Sequence, residues 1–161
     1  MASPVISVYQ HISDQSQNDN PCTSVSLGVV MANKESSVIT LDIWNNRYGS
    51  DQVSDLRDAN VTVLDLNNTA TSDLVVDKWV EVQCLNANDT SYTKIGGAVT
   101  KLLIPNGSSN VTNNTLSGLS NDGSYSSTSN NVCTLRVKVK VPINAEARSR
   151  DFKLRISGYY V

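Results

Sequence analysis

The strongest constraint on the fold lies at the C-terminal end, where apolar and polar side chains alternate in two separate runs. Every second residue from Cys133 to Val141 is apolar, and Pro142 ends this run. After a predicted loop at 143–151, alternation returns from Phe152 to Ser157. Because successive side chains of a strand point to opposite faces, each run predicts a half-buried β-strand. Two such strands favour a sandwich or barrel over a helical fold.

Further apolar runs predict about eight strands in all. Besides the two C-terminal strands, the predicted strands are Val5–Ile12, Thr23–Ala32, Ser37–Trp44, Val61–Leu66, Leu74–Leu85, Val99–Ile104 and a short one at Thr115–Leu119. The second and third flank a turn and predict a hairpin, and Val53–Asp58 predicts one helical turn. With no helical period elsewhere, we expect an all-β fold: an antiparallel β-sandwich of Ig-like or jelly-roll type with long polar loops.

Length and composition agree with one domain spanning residues 1–161. A chain of 161 residues can bury a core without metal or disulfide staples. Helix-favouring Glu, Lys and Ala are scarce, whereas Ser, Thr and Asn crowd the loops. The segment Asn106–Asn131 predicts a long surface loop or a protruding excursion, because compact domains seldom carry so much irregular chain without a use for it.

Charge and motif content argue against several classes of protein. The net charge of −2 makes nucleic acid an unexpected partner. No apolar run is long enough to span a membrane, and Met1–Ile6 lacks the pattern of a secretory signal. The cysteines Cys22, Cys84 and Cys133 are odd in number and widely spaced, which predicts reduced, buried thiols rather than a disulfide or metal site.

Catalytic parts are scarce. His11 is the only histidine and has no acid beside it in the sequence. We therefore interpret it as a surface or edge residue rather than a base or metal ligand. Asp65 and Asp77 form a conceivable glycosidase-type pair, but carboxylates scattered over strands usually form a solvated face. The sequence therefore predicts a protein that is not an enzyme and has no cofactor or metal.

One group of side chains is a candidate interface. If the last two strands lie in one sheet, their outward cations form a stripe that is either a solvated face or a docking face for an acidic neighbour. The stripe and the tyrosines that follow it are Arg136, Lys138, Lys140, Lys153, Arg155, Tyr159 and Tyr160. Tyrosines suit an interface, although packing on their own sheet explains them equally well.

Two tryptophans are candidate exposed aromatics. Trp44 and Trp79 lie opposite the main apolar parity of their predicted strands. Exposed, either would stack on a sugar ring, as in a carbohydrate-binding module. The alternative, which we favour, is that each covers the second face of a sandwich or lies at an interface.

Three stretches resemble small all-β virion proteins of tailed bacteriophages. They are Leu41–Asn46, Val141–Ala147 and Phe152–Tyr159. The middle stretch is also similar to the loop before the last strand in many bacterial and phage Ig-like domains. The resemblance covers about a third of the chain, and it implies a structural role with many copies on a head or tail and no catalytic residue.

The resemblance implies a virion accessory protein, foremost a capsid decoration or cement protein bound to the head surface. Expected partners are the major capsid protein, other virion proteins and further copies of this chain, assembled in the reducing host cytoplasm. A tail, collar or baseplate component is the alternative within the same class. A carbohydrate-binding β-sandwich module, with a glycan as partner, is the alternative from another class.

Overall fold

A computed structural model describes residues 1–11, 20–87, 89–126 and 129–161. Ile12, the last residue of the first predicted strand, and most of the polar loop after it lie outside the described residues. The elements are β1 (Ile6–Gln10), β2 (Ile39–Asn45), β3 (Arg57–Leu64), α1 (Asp73–Val76), β4 (Val80–Cys84), a 3₁₀ turn (Leu85–Ala87), β5 (Thr93–Ile95), β6 (Lys101–Leu102), β7 (Val132–Val139) and β8 (Lys153–Tyr159).

The strands form two antiparallel sheets. The large sheet has the order β1-β2-β7-β4-β5, and the small sheet has the order β6-β3-β8. The register of β2 with β7 runs from Ile39 opposite Val137 to Trp44 opposite Val132. In the small sheet β8 pairs with β3, which carries an irregularity between Arg57 and Asn60. The predicted antiparallel β-sandwich is confirmed.

The main core lies between the sheets and uses the alternation seen in the sequence. On β7 the inward residues Cys133, Leu135 and Val137 are buried, whereas Arg136 between them is exposed. The small sheet supplies fully buried residues such as Val61 from β3. Removal of this apolar surface from water is the main stabilising contribution to the fold.

The predicted strand at Thr23–Ala32 is wrong, and so is its hairpin with β2. Val29 and Met31 are 101% and 70% exposed, and only Leu27 of this segment packs against the main core. The physical reason is that β2 already has β1 on one side and β7 on the other. A strand needs a hydrogen-bonding edge, and alternation alone does not supply one.

Other predicted elements also differ from the structure. The run 74–85 is split, because α1 ends at Val76 and Lys78 adopts a left-handed conformation (φ 53°) before β4 begins. The helical turn predicted at 53–58 is wrong. Val53 and Leu56 instead form isolated bridges with remote residues, and β3 begins directly after them.

The 106–131 segment contains no strand among its described residues, but it lies along the body. Leu116 is fully buried and exchanges two backbone hydrogen bonds of 2.9 Å with Leu56. The Asn46 side chain donates to the Gly118 carbonyl (2.9 Å), and Arg47 donates to the Gly123 carbonyl (3.3 Å). Of the two predicted alternatives, a long surface loop or a protruding excursion, these positions agree with the surface loop.

A buried polar network attaches this segment to the outer face of the large sheet. Thr134 Oγ1 donates to Asp42 Oδ1 (2.6 Å), and His11 Nδ1 lies 2.8 Å from Asp42 Oδ2. From the 106–131 segment, Asn106 Nδ2 donates to Thr134 Oγ1 (3.0 Å), and the Tyr125 ring meets His11 edge-on at 5.0 Å. His11 has no acid beside it in the sequence, but the pairing of β1 with β2 brings Asp42 to it.

We expect the Asp42→Ala substitution to lower the free energy of unfolding by about 3 kcal/mol, because it leaves buried partners of the carboxylate unsatisfied. Urea denaturation followed by circular dichroism measures this. The control is Asp151→Ala at an exposed position, which should change stability by less than about 0.5 kcal/mol. Equal stability of the two variants would contradict the structural role of Asp42.

A second carboxylate organises the loop after β3. Asp65 accepts hydrogen bonds from the backbone N–H of Thr71 (2.8 Å), from Thr69 Oγ1 (2.9 Å) and from the Ser72 hydroxyl. The hydrogen bond from the Ser72 hydroxyl, followed by that from the Thr71 N–H, holds the pKa of Asp65 well below its ordinary value of 3.8.

This lowered pKa predicts acid sensitivity. The stabilisation is complete above the unfolded-state pKa of about 4 and is lost as the pH falls through the native pKa, because the unfolded state binds the proton more readily. We expect the free energy of unfolding to decrease as the pH is lowered below about 4. The decrease should be less steep in Asp65→Asn. Urea titrations at neutral and acidic pH test this, and superimposable pH profiles of the two proteins would contradict it.

Candidate functional site

The predicted single cationic stripe does not exist, because its two halves belong to different sheets. Strand β7, with Arg136 and Lys138, lies in the middle of the large sheet. Strand β8, with Lys153 and Arg155, lies at an edge of the small sheet. The sandwich thus separates residues that the sequence places on neighbouring strands, and each half is a separate candidate surface.

The β7 half is largely paired within the chain. Lys138 Nζ lies 2.6 Å from Glu35 and 3.5 Å from Glu81, and Lys140 lies 3.5 Å from Glu35. The hydrogen bond to Glu35 raises the pKa of Lys138, and the same bond lowers the pKa of Glu35. Arg136 donates to the Gln83 side chain (3.4 Å). These contacts give the cations of β7 a local structural role.

The β8 half differs in its electrostatics. Lys153 Nζ donates to the Leu66 carbonyl (2.9 Å), and Arg155 Nε donates to the Ser157 hydroxyl (3.1 Å). Among the described residues, no carboxylate forms a salt bridge with either cation. Tyr159 shares their parity on β8 and is 52% exposed. We call Lys153, Arg155 and Tyr159 the β8 face.

A shallow groove of about 250 Å³ lies beside the C-terminal end of β8. We call it the terminal groove, and it is lined by Ser3, Pro4, Ile6, Leu56, Ile156, Ser157, Gly158 and Tyr160. Ser3 Oγ donates to the Tyr160 hydroxyl (3.2 Å), and the Tyr160 side chain is 54% exposed. The groove therefore combines aliphatic walls with a half-exposed phenol, a combination suited to protein contacts.

Long-range contacts build this groove. Ala2 bridges to Val53, and the Ser54 hydroxyl donates to the Val161 carbonyl (3.4 Å), which brings both ends of the chain together. Gly158 permits the close approach of β8 and β3, since a Cβ there would lie 2.6 Å from the Arg57 carbonyl oxygen. Sequence reasoning found Tyr160 but missed the other walls of the groove, because no local pattern connects residues so far apart.

Trp44 and Trp79, the candidate exposed aromatics, are both buried. Trp44 is 1% exposed and packs with Tyr9 and Val132, and the Arg47 guanidinium lies 5.6 Å from its ring. Trp79 is 5% exposed and belongs to the main core. The favoured alternative, burial of both rings, is confirmed, so neither ring is available as a sugar-stacking platform.

A second cavity, of about 300 Å³, lies beside Trp79 and includes Asp73, Asp77 and Arg148 in its lining. Asp73 forms salt bridges with Arg150 (2.6 Å) and Arg148 (3.2 Å). Asp65 is not among the lining residues and binds its own loop instead. The structure therefore gives no support to the glycosidase-type pair of Asp65 and Asp77.

The described residues contain neither a metal-binding cluster nor a membrane-spanning helix. Within residues 1–11, 20–87, 89–126 and 129–161, no group of three or more His, Cys, Asp or Glu side chains is placed to hold a metal ion. In the same part of the chain, no helix has both the length and the apolar character required to cross a membrane.

Comparison with known proteins assigns no family to this chain. No protein-family model and no curated protein matches the sequence. Among solved structures, a family 123 glycoside hydrolase from Clostridium perfringens, described for glycolipid glycan hydrolysis, is similar with a TM-score of 0.42 and 14% identity. The match covers 98% of this chain but 25% of that chain, so this chain spans about a quarter of the enzyme. A likeness this weak supports no conclusion about activity.

Burial of both tryptophans predicts a large loss of stability on truncation. We expect Trp44→Ala and Trp79→Ala each to lower the free energy of unfolding by about 3–5 kcal/mol. Tyr159→Ala, at a half-exposed position, should lower it by less than about 1 kcal/mol. Thermal and urea unfolding measure all three. A tryptophan variant as stable as the tyrosine variant would contradict the buried position of that ring.

Proposed function

We propose that this chain is a non-enzymatic structural protein of a tailed-phage virion, foremost a decoration or cement protein that binds the capsid surface. The observation that carries the proposal is the pair of cations and the exposed tyrosine on the β8 face, together with the terminal groove at the end of the same strand. The resemblance of Leu41–Asn46, Val141–Ala147 and Phe152–Tyr159 to virion proteins supports the phage assignment. A β-sandwich supplies a rigid block on which such a surface is held in place.

The chemistry of this surface suits a protein partner. Tyr159 and Tyr160 are half exposed, and tyrosine rings bury large areas at interfaces while their hydroxyl groups stay hydrogen-bonded. Lys153 and Arg155 carry charges that no described carboxylate neutralises. An acidic patch on the capsid would pair with them and orient the protein as it docks.

The position of β8 at an edge of the small sheet fits controlled assembly. Edge strands readily pair with other chains, and outward cations such as Lys153 and Arg155 discourage such pairing. Recognition therefore takes place through side chains of β8 and the terminal groove rather than through backbone addition. On a symmetric capsid, many copies bind at once. If the copies also contact one another, many weak contacts together give a high overall avidity.

The first test is the copy number of this chain in purified virions. Quantitative mass spectrometry of particles should give a copy number near that of the major capsid protein. A small fixed number per particle would replace the capsid assignment with a tail, collar or baseplate location. Absence from washed particles would overturn the virion proposal.

The second test locates the docking surface. The double substitution Tyr159→Ser/Tyr160→Ser should weaken rebinding to particles that lack the protein by about 10–30-fold, the loss typical of interface hot spots. The matched control is Arg136→Ser/Lys140→Ser on the other sheet, which should bind normally. Melting temperatures establish that both variants fold. Loss of binding in the β7 variant alone would place the docking surface on the large sheet.

A further inference from the structure

Two cysteines lie side by side in the main core. Cys84 ends β4, Cys133 lies on the neighbouring strand β7, and their sulfur atoms are 3.3 Å apart. Both side chains are fully buried, and both thiols are free. Cys84 stands opposite Leu135 in the strand register, so Cys133 is its diagonal neighbour on the inward face. Strand pairing thus brings together two thiols that are 49 residues apart in the sequence.

The two thiols are chemically unequal. The hydrogen bond from the Cys133 thiol lowers the pKa of Cys84 to about 7. The same bond, together with burial, raises the pKa of Cys133 well above its ordinary value. Near neutral pH the proton therefore stays on Cys133, and Cys84 is the sulfur that ionises first. A thiolate is the attacking species in thiol–disulfide exchange.

We propose that Cys84 and Cys133 are a latent disulfide pair that an external small-molecule disulfide, such as oxidised glutathione, converts into a bond between β4 and β7. The inference rests on the sulfur geometry and is independent of the proposed function. It differs from the sequence-based expectation that the cysteines stay reduced, because the sequence does not show that these two sulfur atoms are in contact.

The exchange balances in two steps. The Cys84 thiolate attacks one sulfur of oxidised glutathione, the glutathione S–S bond breaks, and one glutathione thiolate leaves. Cys133, as its thiolate, then attacks the Cys84 sulfur and displaces the second glutathione thiolate. The two protons lost from the cysteines end on the two glutathione thiols. The protein loses two electrons, and the oxidant gains them.

Access to the buried sulfurs requires local opening or an unfolded chain. Cys84 is at the end of its strand, directly before the 3₁₀ turn, where strand ends open more readily than the centre of a sheet. Cys22 provides an internal comparison. It is partly exposed, and its backbone N–H donates to the Val8 carbonyl of β1. Strand β2 separates β1 from β7, so Cys22 lies away from Cys133. The geometry excludes it from the predicted bond.

The test uses the full chain, incubated with oxidised glutathione in the native state and, separately, refolded from urea in its presence. Non-reducing peptide mapping should identify one internal cross-link, Cys84 to Cys133, with Cys22 free or glutathionylated. The melting temperature should rise by about 5–10 °C, because the bond restricts the unfolded chain, and dithiothreitol should reverse the rise.

Variants complete the design. Cys22→Ser should form the cross-link and show the full temperature rise, whereas Cys84→Ser and Cys133→Ser should show neither. The Cys22→Ser protein keeps the test valid if one of the core variants folds poorly. The absence of an 84–133 cross-link from both the native and the refolded samples would overturn the proposal. A cross-link that includes Cys22 in place of either core cysteine would overturn it equally.

Discussion

The side-chain amide of Asn45 joins three remote parts of the chain, and the arrangement of the loops depends on it. Its Nδ2 donates to the carbonyls of Ser54 (3.0 Å) and Leu116 (3.1 Å), and its Oδ1 accepts from the Val5 N–H (3.0 Å). The residue is completely buried. Loss of this amide would leave buried backbone groups without partners. The attachment also holds the N-terminal segment in place and thereby helps to shape the terminal groove.

Local alternation was sufficient to predict several of the strands whose apolar faces meet the main core, but not β5, which supplies the buried Ile95. Strands β7 and β8 follow the C-terminal pattern, and β2 overlaps its predicted range and extends one residue beyond it, to Asn45. Alternation was not sufficient at 23–32, because a strand also needs an unoccupied edge, and edges depend on the topology of the whole sheet. The contact between His11 and Asp42 was missed for the same reason: it arises from the pairing of β1 with β2 rather than from a local pattern.

Of the candidate interface, the tyrosines at the end of β8 were evident in sequence, but the division of the cations between two sheets was not.

The contrast between the two groups of cations shows why charge counts alone do not identify a binding surface. Lys138 is within 4 Å of two carboxylates, and this pairing gives it a structural role. Lys153 bonds only to a backbone carbonyl among its described contacts, so its charge is not neutralised locally. Ion pairs such as those of Lys138 contribute to the fold. A cation bonded only to a carbonyl, such as Lys153, keeps its charge available to an acidic partner. The proposed docking surface follows from this difference together with the exposed tyrosines.

The central place of β7 has a consequence for how the chain is made. This strand connects β2 to β4, yet β2 ends at Asn45 and β7 begins at Val132. Pairing across so long a stretch of chain is slow, and on the ribosome it cannot begin until β7 has been synthesised. Until then β2 and β4 present open edges to other chains. Translation that stops before β7 would therefore leave two halves of a sheet with nothing to join them.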